Sequence, residues 1–342
     1  MLHALRSRPV RIDIPRLLAC LVLLFALGGC DAGRMPSSSL EVADKGAFSA
    51  ALSLDGNLAV VGSLTHGGSL WDIGTNERRF NWNHRSGEYS PLTAAAISPD
   101  AGYAITAEND SLVVWNTASG AAITFFSAPS QVLSMALGPQ GQHALLGLSD
   151  DSAVLFDALK GGILRVFPHQ GRVRSVALNR DATLALTGSE DDTARLWDIA
   201  SGRELQRWEH AGDVRLVTLS GDGARALSVS KYDRAALWDT STGLEIGSLP
   251  VSRWRTVRGE TFTAAAFSPD GTRLLTGTTD HRVQLWQLPT QRQVEAWELP
   301  RRADWKRSGA YVLTVGFTTD DRLLLGVSAD GFIHRLSLAA AR

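Results

Sequence analysis

One nine-residue pattern, with tryptophan at its fourth place, recurs through this chain. ARLWDIASG (194–202) has relatives at GSLWDIGTN (68–76), LVVWNTASG (112–120), AVLFDALKG (153–161), AALWDTSTG (235–243) and VQLWQLPTQ (283–291). The tryptophan place holds Trp71, Trp115, Phe156, Trp197, Trp238 and Trp286. Aligning SADGFIHRLS (328–337) on SEDDTARLWD (189–198) puts Leu336 in a seventh, degenerate copy. Successive places lie 44, 41, 41, 41, 48 and 50 residues apart. A period of this length marks an array of small units that bury their apolar faces only by stacking on one another.

A second signal runs in phase. Each copy has a turn-forming tetrapeptide before its tryptophan place: LDGN, SPDA, GPQG, NRDA, SGDG, SPDG and TTDD. Between turns lie short apolar runs such as TLALTGS and LVVW, of strand length. No segment after residue 30 has a long helical period. The expected fold is therefore all-β, with about four short strands per copy. Four strands, a WD signature and this period closely resemble the WD40 repeat family over residues 38 to 340. The resemblance implies a seven-bladed β-propeller of four-stranded antiparallel blades. In blade 4, His169, Thr187, Asp191 and Trp197 fall where that family builds a buried hydrogen-bond network. A buried indole N–H is donor-only and needs an acceptor. Blade 5 keeps His210, Ser228 and Trp238 but has Tyr232 in place of the aspartate. The remaining blades keep less and are expected to rely more on apolar packing.

The last copy ends on its third strand, near Leu338. SSSLEVADKGAFSAALSLDG (37–56) lines up with SGRELQRWEHAGDVRLVTLSGDG (201–223), in which ELQRW is an outer fourth strand. The N-terminal SLEVA (39–43) is thus expected to supply the outer strand of blade 7 and remove an open edge.

Residues 1–29 read as an address. MLHALRSRPVRIDIPR carries Arg6, Arg8, Arg11 and Arg16 against Asp13, and the 13-residue run LLACLVLLFALGG follows. A membrane span needs roughly 20 apolar residues, so this is the signal-peptide pattern. LGGC (27–30) resembles the lipobox of bacterial lipoproteins, which implies cleavage before Cys30 and lipidation of that cysteine. One acyl chain anchors only marginally. The cysteine of that family carries several, so the resemblance implies stable tethering. Residues 30–37 read as a flexible tether and 38–342 as the propeller. The expected location is the bacterial cell envelope, facing the periplasm. Asp31 resembles an inner-membrane retention signal, and the outer membrane stays open as an alternative.

The two cysteines, Cys20 and Cys30, exclude a disulfide framework in the propeller. A net charge of −1 gives no global field toward nucleic acid. The eight histidines lack metal-ligand spacing, no HExxH, P-loop or GxSxG occurs, and the acidic pairs fall in blade turns. No metal, cofactor or catalytic residue is expected. A propeller enzyme or small-ligand binder working at the central channel mouth, lactonase-like or dehydrogenase-like, is the alternative.

Spacings above 41 arise in links between blades: NWNHRSGEYS (81–90), VSRWRTVRGE (251–260) and LPRRADWKRSG (299–309). Links between blades all leave one face of a propeller, and insertions confined to one face often mark a binding surface. The latter two stretches carry net charges of +2 and +3 on a body that is net acidic after residue 29. Arg253, Trp254, Arg255, Arg258, Arg301, Arg302, Trp305, Lys306 and Arg307 are the expected binding residues, joined by Trp82, His84 and Arg85 from the first link. Arg and Trp are enriched in interface hot spots. The expected function is a protein-interaction scaffold. Its partner is a protein with an acidic surface; the membrane is met through the anchor, nucleic acid is not a partner, and the propeller is monomeric. Cys30→Ala is expected to abolish lipid attachment; mass spectrometry finding wild-type protein with an unmodified Cys30 would refute the anchor.

Overall fold

Strands buried on both faces read as unbroken apolar runs, and LAVVGS (58–63) and LALTGS (184–189) are such runs. A computed structural model describes residues 33–339 apart from 86, 232–233, 251–260, 303–310 and 321. These runs are second strands of four-stranded antiparallel sheets, of which there are seven. A short strand, β1 (Ser38–Glu41), precedes them. Blade 1 is β2 (Ala47–Leu52), β3 (Leu58–Ser63), β4 (Gly67–Asp72) and β5 (Glu77–Trp82). Blade 2 is β6 (Ala94–Ile97), β7 (Tyr103–Glu108), β8 (Ser111–Asn116) and β9 (Ala122–Ser127). Blade 3 is β10 (Val132–Leu137), β11 (His143–Leu148), β12 (Ser152–Asp157) and β13 (Ile163–Pro168). Blade 4 is β14 (Val173–Leu178), β15 (Leu184–Ser189), β16 (Thr193–Asp198) and β17 (Glu204–Glu209). Blade 5 is β18 (Val214–Leu219), β19 (Arg225–Ser230), β20 (Ala235–Asp239) and β21 (Glu245–Leu249). Blade 6 is β22 (Phe262–Phe267), β23 (Arg273–Thr278), β24 (Arg282–Gln287) and β25 (Arg292–Glu298). Blade 7 is β26 (Val312–Phe317), β27 (Leu323–Ser328) and β28 (Phe332–Ser337), with β1 as its fourth strand.

The first strand of each blade touches the first strand of the next, and β26 touches β2, so the ring is closed: a seven-bladed β-propeller. Second and third strands form the core, sandwiched between neighbouring sheets. Outer-strand aromatics fill the space between blades. Trp82 stacks on Trp115 at 5.1 Å, Phe167 meets Trp197 at 5.2 Å, and Trp208 stacks on Trp238 at 5.0 Å. Gly188 lets blade 5 come close, because a Cβ there would lie 2.8 Å from Val214 and Val217 side-chain carbons. The turn between second and third strands needs a left-handed residue. Gly67, Asn109, Asp151, Asp192, His281 and Gly331 supply it. The acidic pairs of the sequence, such as Asp191–Asp192, are therefore turn chemistry.

Ring closure is non-local. Ser38, Ser39, Leu40 and Glu41 stand opposite Arg335, His334, Ile333 and Phe332. The strap continues on both sides. Arg34 makes a parallel bridge to Trp297 in β25, its N–H reaching Ala296 O at 2.8 Å, and its guanidinium lies 3.1 Å from Glu295. Val42 donates to Gly331 O and Ala47 to Ala329 O, and Val42 and Ala43 pack with Ala59, Val61, Val327 and Ile333. Residues 34–47 thus tie blades 6, 7 and 1 together. Of the flexible tether expected over 30–37, residues 30–32 lie outside the described residues, while Arg34 and Ser37 are held on the ring by backbone hydrogen bonds.

One donor reveals the seam. Trp82 and Trp208 each give their Nε1–H to a glycine carbonyl, Gly120 at 3.1 Å and Gly243 at 3.0 Å, in the third-to-fourth-strand turn of the next blade. Trp297 is equally buried, but blade 7 has no such turn because its fourth strand comes from the N-terminus. Among the described residues, Trp297 Nε1 has no acceptor. Val42→Asp places a carboxylate in the buried strap, and its melting temperature is expected to fall by about 3 °C or more, as a loss above roughly 2 kcal/mol implies for a domain of this size. An unchanged melting temperature would show that the strap does not hold the ring.

Candidate functional site

A tryptophan N–H in a blade core needs an acceptor, and in blades 2, 4, 5 and 6 a second-strand hydroxyl supplies it. Trp115 donates to Thr106, Trp197 to Thr187, Trp238 to Ser228 and Trp286 to Thr276, at 2.8 to 2.9 Å. In blade 4 the chain goes on. Thr187 Oγ1 lies 2.8 Å from His169 Nε2, and His169 Nδ1 lies 2.9 Å from Asp191. Asp191 also accepts from Gln170 N–H, from Thr193 and from Arg195 at 2.6 Å. In blade 5, His210 sits 2.8 Å from Ser228 and 3.2 Å from Ser230; Tyr232 lies outside the described residues. Phe156 and Leu336 have no N–H to place and are buried apolar groups, while Trp71 donates within its own strand to Ser69.

Blade 2 contains a network that the sequence reading assigned elsewhere. His84 is expected above on a binding surface, but its side chain is 2% exposed. Its Nε2 lies 2.9 Å from Thr106, which accepts from Trp115, and its Nδ1 lies 3.3 Å from Ser111. His84 is therefore an interior group, the counterpart of His169. His169 and His210 each precede their tryptophan by 28 residues, His84 by 31. The three extra residues of the first long link fall after His84 and shift its phase.

Burial sets the protonation of these groups. Desolvation pushes His84 down to about 4, with the charge of Arg85 adding to it. Desolvation also lowers His334 to about 4, against the opposing pull of Asp330. His169 is lowered by desolvation despite its bond to Asp191. For Asp191 burial acts upward, but hydrogen bonds from His169, Thr193 and Gln170 outweigh it and hold the carboxyl well below its usual range.

The three long links run from β5 to β6, β21 to β22 and β25 to β26, so all leave the face that also carries the second-to-third-strand turns. Their residues have different fates. Trp82 is 1% exposed and is a packing group between blades 1 and 2, not a surface anchor. Arg302 turns back on the seam. Its guanidinium reaches Glu41 at 2.8 Å and the carbonyls of Ala43 and Asp330, and it covers the Phe332 ring at 4.9 Å. Arg302 thus latches the closing strand. Arg85 is exposed beside Glu88 at 3.5 Å, and Arg301 is exposed. Arg253, Trp254, Arg255, Arg258, Trp305, Lys306 and Arg307 lie outside the described residues.

The same face has apolar groups that the charge pattern did not reveal. Phe48 is the extra residue of a bulge in β2 and is 48% exposed. Bulges re-aim side chains. Leu64 is exposed in the next turn of blade 1, Tyr89 in the first long link and Tyr311 at the end of the last one. The His66 ring meets Tyr89 edge-on at 6.0 Å. Blades 7, 1 and 2 therefore present Tyr311, Phe48, Leu64 and Tyr89 on one side of the ring.

A family model described as WD domain, G-beta repeat matches residues 161–198 and 253–287. These two segments of the chain match WD40 repeats. The first match covers β13 to β16 and so includes the complete histidine, threonine, aspartate and tryptophan network. A comparison with curated proteins gave no match.

The channel of the propeller holds a cavity of about 440 Å³. Its wall is made by first strands, with Ala50, Ala95, Ala136, Ala177 and Ala265 among the lining residues and Arg180 at one mouth. Several wall hydroxyls join neighbouring blades: Ser134 accepts from Val176 N–H, Ser175 from Val217 N–H, and Thr263 donates to Val312 O. Among the described residues no three His, Cys, Asp or Glu side chains gather as metal ligands.

Histidines whose folded value lies below the ordinary 6.5 bind protons better when unfolded. The stability they contribute is complete above about 6.5 and is lost as pH falls through 4. The melting temperature is expected to be level from pH 8 to 7 and to decline from pH 6.5 to 4, and His84→Asn is expected to shrink that decline. Calorimetry across this range, on both proteins, checks it; identical slopes would remove His84 from the account.

Proposed function

We propose that this chain is a membrane-tethered, periplasm-facing interaction scaffold. Its link face, from blade 6 round to blade 2, docks a protein with an acidic surface. WD40 propellers commonly serve as protein-interaction scaffolds, and the repeats here support that class. The observation that carries the choice of face is the exposed set Phe48, Leu64, Tyr89 and Tyr311, on the same side as Arg85 and Arg301. Aromatic groups that present large area at little entropic expense make interface anchors. Cations around them steer an acidic partner and make association salt-sensitive. The basic residues of 251–260 and 303–307 belong to links that leave this face, and in the proposal they extend its positive sector.

The lipobox-like LGGC and the basic, apolar leader support attachment through Cys30 in a bacterial envelope. The channel wall of alanine, leucine, serine and threonine supports recognition over chemistry, since these groups do not exchange protons near neutral pH.

Capture from envelope extract tests the face. Reversing Arg301 and Arg307 to Glu is expected to weaken partner capture most at low salt. Tyr89→Ala is expected to weaken it at every salt concentration. Folding should be almost unaffected, because surface changes usually stay within about 0.5 kcal/mol. The same captured proteins in equal yield from wild type and both variants would exclude this face.

A further inference from the structure

The outer strands are the open edges of the blades, and proteins guard such edges with charge. Here β5, β17 and β25 carry three ionised residues each, and β1, β13 and β21 carry one each: Glu41, Arg165 and Glu245. Strand β9, AITFFS, carries none. It also contains neither proline nor glycine, and Phe125 is 62% exposed.

Both sides of this edge are apolar. Phe126 stacks on Phe156 at 4.3 Å and Thr124 donates to Ala158 O, so these two residues face blade 3. Phe125 alternates with them and points to the other side. In β13, Phe167 faces blade 4 against Trp197, so Val166 beside it points back toward blade 2, as does Ile163, which stands opposite Phe156 across a bulge at Leu164. Both are exposed. A strand added to β9 meets Phe125 on one side and Ile163 and Val166 on the other. It must be uncharged and apolar on both faces.

The sequence AITFFS itself meets that requirement. Turned about a two-fold axis, β9 opposes a second β9 with no charge against charge in any antiparallel register. The same operation about the centre of β17 sets Glu204 against Glu209. Like charges directly opposite are destabilising. A two-fold contact uses one patch on both subunits and closes at two. Since the other outer edges are charged, growth beyond a pair is not favoured.

We propose that two copies of this chain associate through antiparallel pairing of their β9 edges, with Ile163 and Val166 of blade 3 flanking the contact. The surface is separate from the link face, and a propeller that pairs this way replaces the monomer expected from the sequence. Blades 2 and 3 lie across the ring from blade 6, where the described chain begins its strap at Arg34.

Sedimentation velocity of the full chain in mild detergent reads the result. Wild type is expected to shift from monomer to dimer with rising concentration. Phe125→Lys and Val166→Lys are each expected to weaken dimerisation at least roughly tenfold, a difference of about 1.4 kcal/mol. Ile246→Lys, on the exposed but already charged edge β21, is expected to leave it unchanged and controls for a general effect of added charge. Circular dichroism and melting temperature confirm folding of each variant. Wild type that stays monomeric up to about 100 µM, a concentration at which even weak specific pairs form, overturns the proposal. So does a dimer that survives Phe125→Lys, or one lost equally in Ile246→Lys.

Discussion

A blade has two apolar faces, and neither can be left to water. That constraint governs everything else in this molecule. Stacking covers the faces of interior blades, but a linear stack always leaves two bare ends. Bending the array into a ring makes the ends cover one another, so β26 meets β2 and every second strand is enclosed. Close approach is needed for this, hence Gly188 beneath Val214 and Val217. Aromatic filling is needed where blades splay, hence the paired outer- and third-strand rings.

Enclosure creates a second requirement. Each core tryptophan carries a donor into a dry interior, and an unpaired buried donor costs about 1–3 kcal/mol. In blades 2, 4, 5 and 6 a threonine or serine on the adjacent second strand meets it, and in blades 2, 4 and 5 a histidine from the preceding link completes the chain. These histidines do more than satisfy the hydroxyl. They fix where each link leaves the ring, and so which residues after them are raised on the link face. The surface that carries Tyr89 and Arg85 is held in place by His84 beneath it.

Blade number, phase and the tryptophan places were legible because a period survives substitution: seven imperfect copies correct one another. The strap was legible for the same reason, since SLEVA aligns with an outer strand. What failed was local. Trp82 was read as a loop aromatic, although ERRFNW and ELQRWE place it level with Trp208. His84 was hidden by a three-residue insertion. Arg302 looked like its basic neighbours, because a run of charge in one dimension does not say which member folds back on Glu41. Phe48 was silent because a bulge residue has no special letter. The uncharged edge of β9 was visible in the letters, but its meaning depends on knowing which strand is outermost.

The strap also sets an order of assembly. Blades 1 to 6 are made of consecutive strands, so each can form as hairpins while the chain is being produced. Blade 7 cannot. Its outer strand is made first and its third strand last, and Ser39 waits for His334 across a separation of 295 residues. Contacts so distant in the chain form late, because closing a long loop precedes any reward. Until β28 has been made, the ring lacks its last sheet, and blades 6 and 1 each keep a bare face. Emergence of β28 is therefore the event that shuts the ring, and a copy truncated before β28 would retain six well-formed blades and no closure.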